Sequence, residues 1–368
     1  MNWNDIPGDQ PTPSLVVSAE VARNNIRSMQ EYCNQKNLAL RPHTKTHKSI
    51  RLAKEQIAAG AVGLTVAKAG EAEVMSHASD DIMIAYPAVG PSRLRRVTEL
   101  AKTVKLRIGI DSQAAAEILQ SASSSAGVKL GIMVDIEVGF HRTGVVEASK
   151  AIELCKFVDG QSHLRFEGLM CFPGHILWTS ELQQWSEYNA SLQQVVEGLA
   201  RKGIEAKTIS GGSTPTAKSS HLNPFLNEIR PGTYVYNDLN EVRLGVCGWE
   251  DCAARVLATV VSTPERNKFI VDAGSKALSS DRNAVNPDAG FGYLVDYPDA
   301  QVTRLSEEHG EIVVPMNKLD SVVLPKVGDR VWIIPNHICV CVNLQNRFYL
   351  MEANELLTLP VDARGMLE

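Results

Sequence analysis

The stretch LRPHTKTHKS, residues 40 to 49, gathers Arg41, His43, Lys45, His47 and Lys48 in a chain whose net charge is -5. Basic runs commonly form a solvated face. This one follows an apolar segment, and nearby positive charge and desolvation both favour a neutral amine. A neutral Lys45 amine can form a Schiff base with an aldehyde. A second stretch, SGGSTPT at 210–216, reads as an anion cradle. Its two glycines let backbone N–H groups approach, and Ser213 and Thr214 offer hydroxyls. The ordinary alternative is a glycine-rich turn with a helix cap. A Schiff-base lysine with a separate phosphate cradle is the pair that pyridoxal phosphate requires. A third stretch is PNHICVCVN. Read as a strand, it puts His337 and Cys339 on one face. An imidazole and a thiolate together suit a divalent metal, with zinc preferred by the sulfur. Two ligands leave positions open for water or substrate. Cys341 follows the strand onward, out of reach. Taken alone, H-x-C is more often a satisfied histidine beside a core cysteine.

These groups need elements to position them. Apolar or β-rich runs occur at 38–45, 61–67, 81–87, 104–111, 128–138, 166–172, 206–212 and 228–234, mostly with helix-period segments between. The spacing suits βα units, and eight such units close into a (β/α)₈ barrel of the TIM type. An open doubly wound sheet is the alternative, but no G-x-G-x-x-G follows the first strand. In a barrel the working residues sit at the C-terminal ends of the strands. There the sequence places His43 and Lys45 after the first, and Asp135, Glu137, His141 and Arg142 after the fifth. His175 follows the sixth, the glycine-serine turn the seventh, and Tyr234 and Tyr236 the eighth. From about residue 245 the texture turns β-rich with short turns. The expected organisation is a barrel over 12–244 and a mainly β domain over 245–368, which SLVVS near the start could join.

The 368 residues are 44% hydrophobic and 21% charged, enough for a sizeable core and unlike a disordered chain. The charge balance gives no basic footprint for nucleic acid. No apolar run is long enough to span a membrane. The polar N-terminus lacks a signal-peptide pattern, so a cytoplasmic protein is expected. Seven irregularly spaced cysteines predict reduced thiols rather than a disulfide framework.

Taken together, RPHTKTHK, SGGSTPT, EIRPGTYVYND, DAGSKALSSD, SEEHG and PNHIC resemble the D-threonine aldolase and D-serine dehydratase family. The resemblance runs from about Thr12 to about Asn343 and implies an alanine racemase-like fold. It implies that Lys45, with His43 in the same motif, bears pyridoxal 5'-phosphate, and that Gly212, Ser213 and Thr214 hold its phosphate near Tyr234 or Tyr236. Arg142 matches an arginine close to the cofactor in relatives. His337 and Cys339 match the metal pair, the metal being zinc, manganese or magnesium. A homodimer acting on a small amino acid is implied as well. The expected activity is retro-aldol cleavage of a D-3-hydroxy amino acid to glycine and an aldehyde, because His175 in FPGHI could deprotonate the β-hydroxyl. The alternative is dehydration of D-serine or D-3-hydroxyaspartate, since in this family a cysteine at position 339 is typical of dehydratases. Phe172 stands where many relatives carry a tyrosine. Two further alternatives are an amino acid racemase and a cofactor-binding protein without turnover. The metal pair and the β domain argue against them.

Overall fold

The structure, a computed structural model, describes residues 2–178 and 180–368. The chain divides into two compact units. One comprises Ile26–Lys45, Ser49–Gly232 and Gly365–Glu368. The other comprises the residues up to Asn25, Thr46–Lys48 and Thr233–Arg364. The division at Gly232/Thr233 falls earlier than the change of sequence texture near 245. The reason is that residues beyond 232 bond within the second unit: Asn237 Nδ2 donates to Asp251 O, and Asp238 accepts from Ile338 N–H.

After β1 (Ser14–Ser18) and α1 (Ala19–Gln35), the first unit is built on eight parallel strands. They are β2 (Ala39–Leu40), β3 (Leu64–Val66), β4 (Asp81–Ile84), β5 (Lys105–Ile110), β6 (Leu130–Ile136), β7 (Leu164–Cys171), β8 (Thr208–Gly211) and β9 (Glu228–Ile229). Each lies inside or overlaps one of the eight runs read from the sequence. The hydrogen-bonded order is β2-β9-β8-β7-β6-β5-β4-β3. A parallel bridge between His43 and Thr65, with Thr65 N–H donating to Pro42 O, brings the two end strands together and closes the barrel. Strands covered on both faces need continuous apolar sequence. In β6, LGIMVDI, every residue is buried. Met83, Met133 and Met170 form one packed layer.

The helices of this unit are α2 (Ile50–Ala59), α3 (Ala69–Met75), α4 (Pro91–Leu100), α5 (Gln113–Ala126), α6 (Ala148–Asp159) and α7 (Leu182–Ala200). Their ends follow local chemistry. Pro91 opens α4, Ser112 Oγ accepts from Ala115 N–H to cap α5, and left-handed Gly60 and Gly127 close α2 and α5.

The second unit contains α8 (Leu239–Arg243), β10 (Ala254–Glu265), β11 (Lys268–Val271), α9 (Ser275–Leu278), β12 (Gly292–Leu294), β13 (Gln301–Leu305), β14 (Gly310–Val313), β15 (Arg330–Pro335), α10 (Ile338–Leu344), β16 (Arg347–Glu352) and β17 (Glu355–Pro360). The sheet order is β13-β14-β11-β10-β1-β16-β17, with β15 pairing β10 and β12. SLVVS is β1, antiparallel to β10 and parallel to β16. Val16, Leu257, Trp332 and Met351 pack around Ile6, and Leu239, Cys252 and Ile334 form a second cluster. None of the seven cysteines is in a disulfide. Among the described residues no helix is long and apolar enough to cross a membrane.

Candidate active site

The cationic stretch does not remain a cluster around Lys45. Arg41 is buried in ion pairs with Glu228 at 2.9 Å and Asp81 at 2.6 Å. Burial alone would lower the Arg41 guanidinium, but the two carboxylates outweigh it and hold it above its ordinary value. Lys48 is buried and donates to Ala363 O at 3.3 Å. His47 is buried edge-on against Tyr236, ring centroids 6.5 Å apart. Lys45 itself is exposed. Arg41 and Lys48 are thus each held by a partner distant in sequence. The backbone at Lys45 is set by His43, whose Nδ1 accepts from Lys45 N–H at 3.4 Å.

The first unit carries Lys45, Arg142, His175 and the 210–216 turn beyond the C-terminal ends of β2, β6, β7 and β8. A closed parallel barrel makes those ends one face. In the turn, Gly212 takes φ +78, which a side chain would resist. Ser213 and Thr214 are buried. The Ser213 N–H donates to Thr216 Oγ1 at 2.9 Å, so that amide serves the turn itself. Arg142 is exposed, with its guanidinium 5.0 Å from the Phe140 ring and 4.8 Å from the Phe172 ring. His175 is half-buried, and its Nδ1 is enclosed without a hydrogen-bond partner.

Two further groups in the barrel bear on the site: Arg230, which went unread in the sequence, and Asp135, which the sequence places after the fifth strand. Arg230 is buried; its Nη2 donates to Cys171 O at 2.8 Å, while Nη1 is enclosed without a partner. Asp135 is buried and accepts from Thr143 Oγ1 at 2.8 Å. Burial pushes its carboxyl up to about 6, against the pull of Thr143 and Arg230. An unpartnered buried guanidinium N–H is a costly group that an acceptor on a bound cofactor would satisfy. Together with Lys45 and the glycine turn, it is of the chemistry that pyridoxal phosphate needs.

The second unit holds Tyr234, Tyr236, His337 and Cys339. Both tyrosines are buried. Here the strand expectation is overturned. β15 ends at Pro335, and Ile338–Leu344 is helix α10. His337 is the N-cap of α10 and Cys339 lies in its first turn. The helical turn sends Cys341 elsewhere, to donate to Ala277 O at 3.0 Å. The two side chains still meet. The Cys339 thiolate, ahead of the opposing burial and the supporting Asp238, pushes the His337 imidazole up to about 12. Thr46 Oγ1 lies 3.1 Å from Cys339 Sγ, and Thr233 Oγ1 lies 3.8 Å from it. Thr46 is the residue immediately after Lys45.

Asp238 is the group that organises this pair. It is fully buried, and its Oδ2 accepts from Ile338 N–H at 3.0 Å and lies 3.3 Å from His337 Nδ1. A carboxylate behind one imidazole nitrogen, leaving the other for a cation, is the usual support of a metal-binding histidine. Among the described residues no three His, Cys, Asp or Glu form a cage. The donor set fits a divalent metal with open positions, not a closed structural site. The sequence did carry a signal for Asp238: with Glu241 it has the D-x-x-E spacing of a helix start.

Comparison with known proteins agrees with this architecture. Residues 17–240 match the family described as alanine racemase, N-terminal domain, and residues 253–351 match a putative serine dehydratase domain. The D-threo-3-hydroxyaspartate dehydratase of Delftia sp. (strain HT23) is 32% identical over 89% of this chain and 90% of its own length. The D-threonine aldolase of Arthrobacter sp. is 28% identical over 92% of this chain and 90% of its own. The crystal structure of D-threonine aldolase from Filomicrobium marinum superposes with a TM-score of 0.89 at 28% identity, covering 98% of each chain. With matches of this extent to both domains, the chain belongs to the D-threonine aldolase and D-serine dehydratase family of the alanine racemase-like fold, and it is a lyase.

Proposed function

We propose that the chain is a pyridoxal phosphate- and divalent metal-dependent lyase that cleaves D-3-hydroxy amino acids between Cα and Cβ, giving glycine and an aldehyde. When bound, the cofactor supplies an electron sink for the charge left at Cα, and the metal a Lewis acid for the β-hydroxyl. Lys45 would hold the cofactor aldehyde, the 212–214 turn its phosphate, and Arg230 Nη1 an acceptor on the cofactor. His337 and Cys339 would hold the metal, and the thiolate favours zinc over manganese or magnesium. In support, structures of D-threo-3-hydroxyaspartate dehydratase include a histidine mutant and, in the metal-free form, a cysteine mutant two positions further on. That is the spacing of His337 and Cys339.

The observation that carries the aldol reading is His175. It stands half-buried on the strand-end face that also carries Lys45. Its imidazole would accept the β-hydroxyl proton, a step that dehydration does not need. The dehydratase reading is favoured instead by Cys339, which repeats the histidine–cysteine spacing of the Delftia enzyme. Product analysis separates the two. The enzyme is incubated with D-threonine, D-serine and D-3-hydroxyaspartate, with and without chelator. Glycine plus an aldehyde, lost in His175→Asn, is the expected result. Ammonia plus a keto acid, retained in His175→Asn, overturns it.

A further inference from the structure

We propose that the loop after β6, residues 137–141, is a shelf that fixes the His175 ring, with Gly139 and Glu137 as positioning residues. The inference rests on reading His175 as the base. A catalytic imidazole is usually oriented by a hydrogen bond to the nitrogen that does not react. His175 has no such bond: its Nδ1 is enclosed and unpartnered. What meets the ring instead is the α-carbon of Gly139. A β-carbon built there would fall 2.7 Å from His175 Nε2 and 2.8 Å from Cε1, closer than real β-carbons come. The imidazole edge thus occupies the volume that any other residue at 139 would fill.

The shelf is itself built. Glu137 N–H donates to Val145 O at 3.2 Å and Val145 N–H to Asp135 O at 2.8 Å, closing the base of the loop. Above that base the Glu137 carboxylate folds the chain back, its Oε1 accepting from Gly139 N–H at 2.8 Å and His141 N–H at 2.7 Å. Gly139 takes φ +114 and His141 φ +55, a curl that a single internal acceptor can hold. Glu137 therefore fixes where the Gly139 α-carbon stands, and Gly139 fixes where the ring stands.

The test uses holoenzyme with D-threonine and, in parallel, the imidazole nitrogen resonances of His175, assigned from His175→Asn. Gly139→Ala should lower kcat about 10²-fold with KM nearly unchanged, the cost of an ångström-scale misplacement. It should also move the His175 resonances and the limb of the pH–rate profile that His175→Asn removes. Glu137→Ala should do the same without adding a side chain at 139, and Glu137→Gln, which keeps the acceptor oxygen, should restore most of the loss. Gly127→Ala controls for backbone strain alone, since Gly127 also has positive φ and nothing lies within 4 Å of its added carbon. Wild-type kcat and unmoved His175 resonances in Gly139→Ala, with His175→Asn inactive, would overturn the shelf. A fully active His175→Asn would instead overturn the base reading, and the resonances would still decide whether the shelf exists.

Discussion

Replacing Asp238 should separate two jobs that one buried carboxylate performs. Its Oδ1 accepts from Glu241 N–H at 3.1 Å and caps α8. Its Oδ2 takes the Ile338 N–H at the start of α10 and faces His337 Nδ1. In Asp238→Ala the lost cap costs about 1 kcal/mol. The orphaned Ile338 and His337 donors add about 1–3 kcal/mol each. Urea unfolding of the metal-free protein should therefore show a loss of about 3–7 kcal/mol. Asp238→Asn keeps one acceptor oxygen for the cap but turns an NH₂ group toward the other two donors, so it should lose about 2–6 kcal/mol, less than the alanine variant by the cap. Zinc affinity should behave differently. Both variants remove the carboxylate behind His337, and each should weaken zinc about 10–100-fold in competition with a chromogenic chelator. Unchanged zinc affinity in Asp238→Asn, alongside the expected drop in stability, would refute the orienting role and leave Asp238 a helix cap.

Other perturbations act on single, identifiable terms. Asp135 has a folded pKa raised by burial to about 6 from 3.8. Its contribution is therefore fully present below pH 4 and is lost as the pH rises through 6. Asp135→Asn, which never carries the charge, should stabilise the protein by up to about 3 kcal/mol at pH 7.5 and by nothing at pH 3.5, read by urea unfolding. Arg41→Met leaves Glu228 and Asp81 without their shared partner and should cost about 3–5 kcal/mol in the same assay. Adding Glu228→Met should recover part of that loss. Lys45→Ala should abolish the visible absorbance of bound cofactor in protein that unfolds at the wild-type temperature, because Lys45 is exposed and packs against little.

Most of the fold was legible because its signals are local. Strands buried on both faces must be apolar throughout, so each barrel strand stands out against amphipathic helices. The boundary between the units was less legible. Residues 233–243 read as a continuation of the barrel pattern, and long-range bonds such as those from Asn237 to Asp251 and from Asp238 to the start of α10 assign them to the β unit. The partners within the cationic stretch were hidden for a related reason. Charge clusters in sequence imply clusters in space only if the side chains point the same way. Arg41 meets Glu228 and Lys48 meets Ala363, at separations of 187 and 315 residues that local composition cannot reveal.

The His337–Cys339 segment shows how two side chains can be expected together from the wrong element. HICVCVN is rich in β-branched and small apolar residues and favours a strand on propensity. The alternation that put His337 and Cys339 on one face belongs to that strand, which the structure does not contain. Two features decide against it. Pro335 has no N–H and ends the pairing of β15. The buried Asp238 carboxylate then offers an acceptor to the first free amide, at Ile338, and a chain so capped continues as helix. The imidazole of the N-cap residue and the thiol of the second helical residue meet at the helix start. The sequence placed the pair by period two, whereas the fold places it by a cap. Because the capping carboxylate also faces the imidazole, the interaction that makes the helix is the one that orients the proposed ligand. A change at position 238 should therefore not alter the helix start while leaving the proposed metal pair as it was.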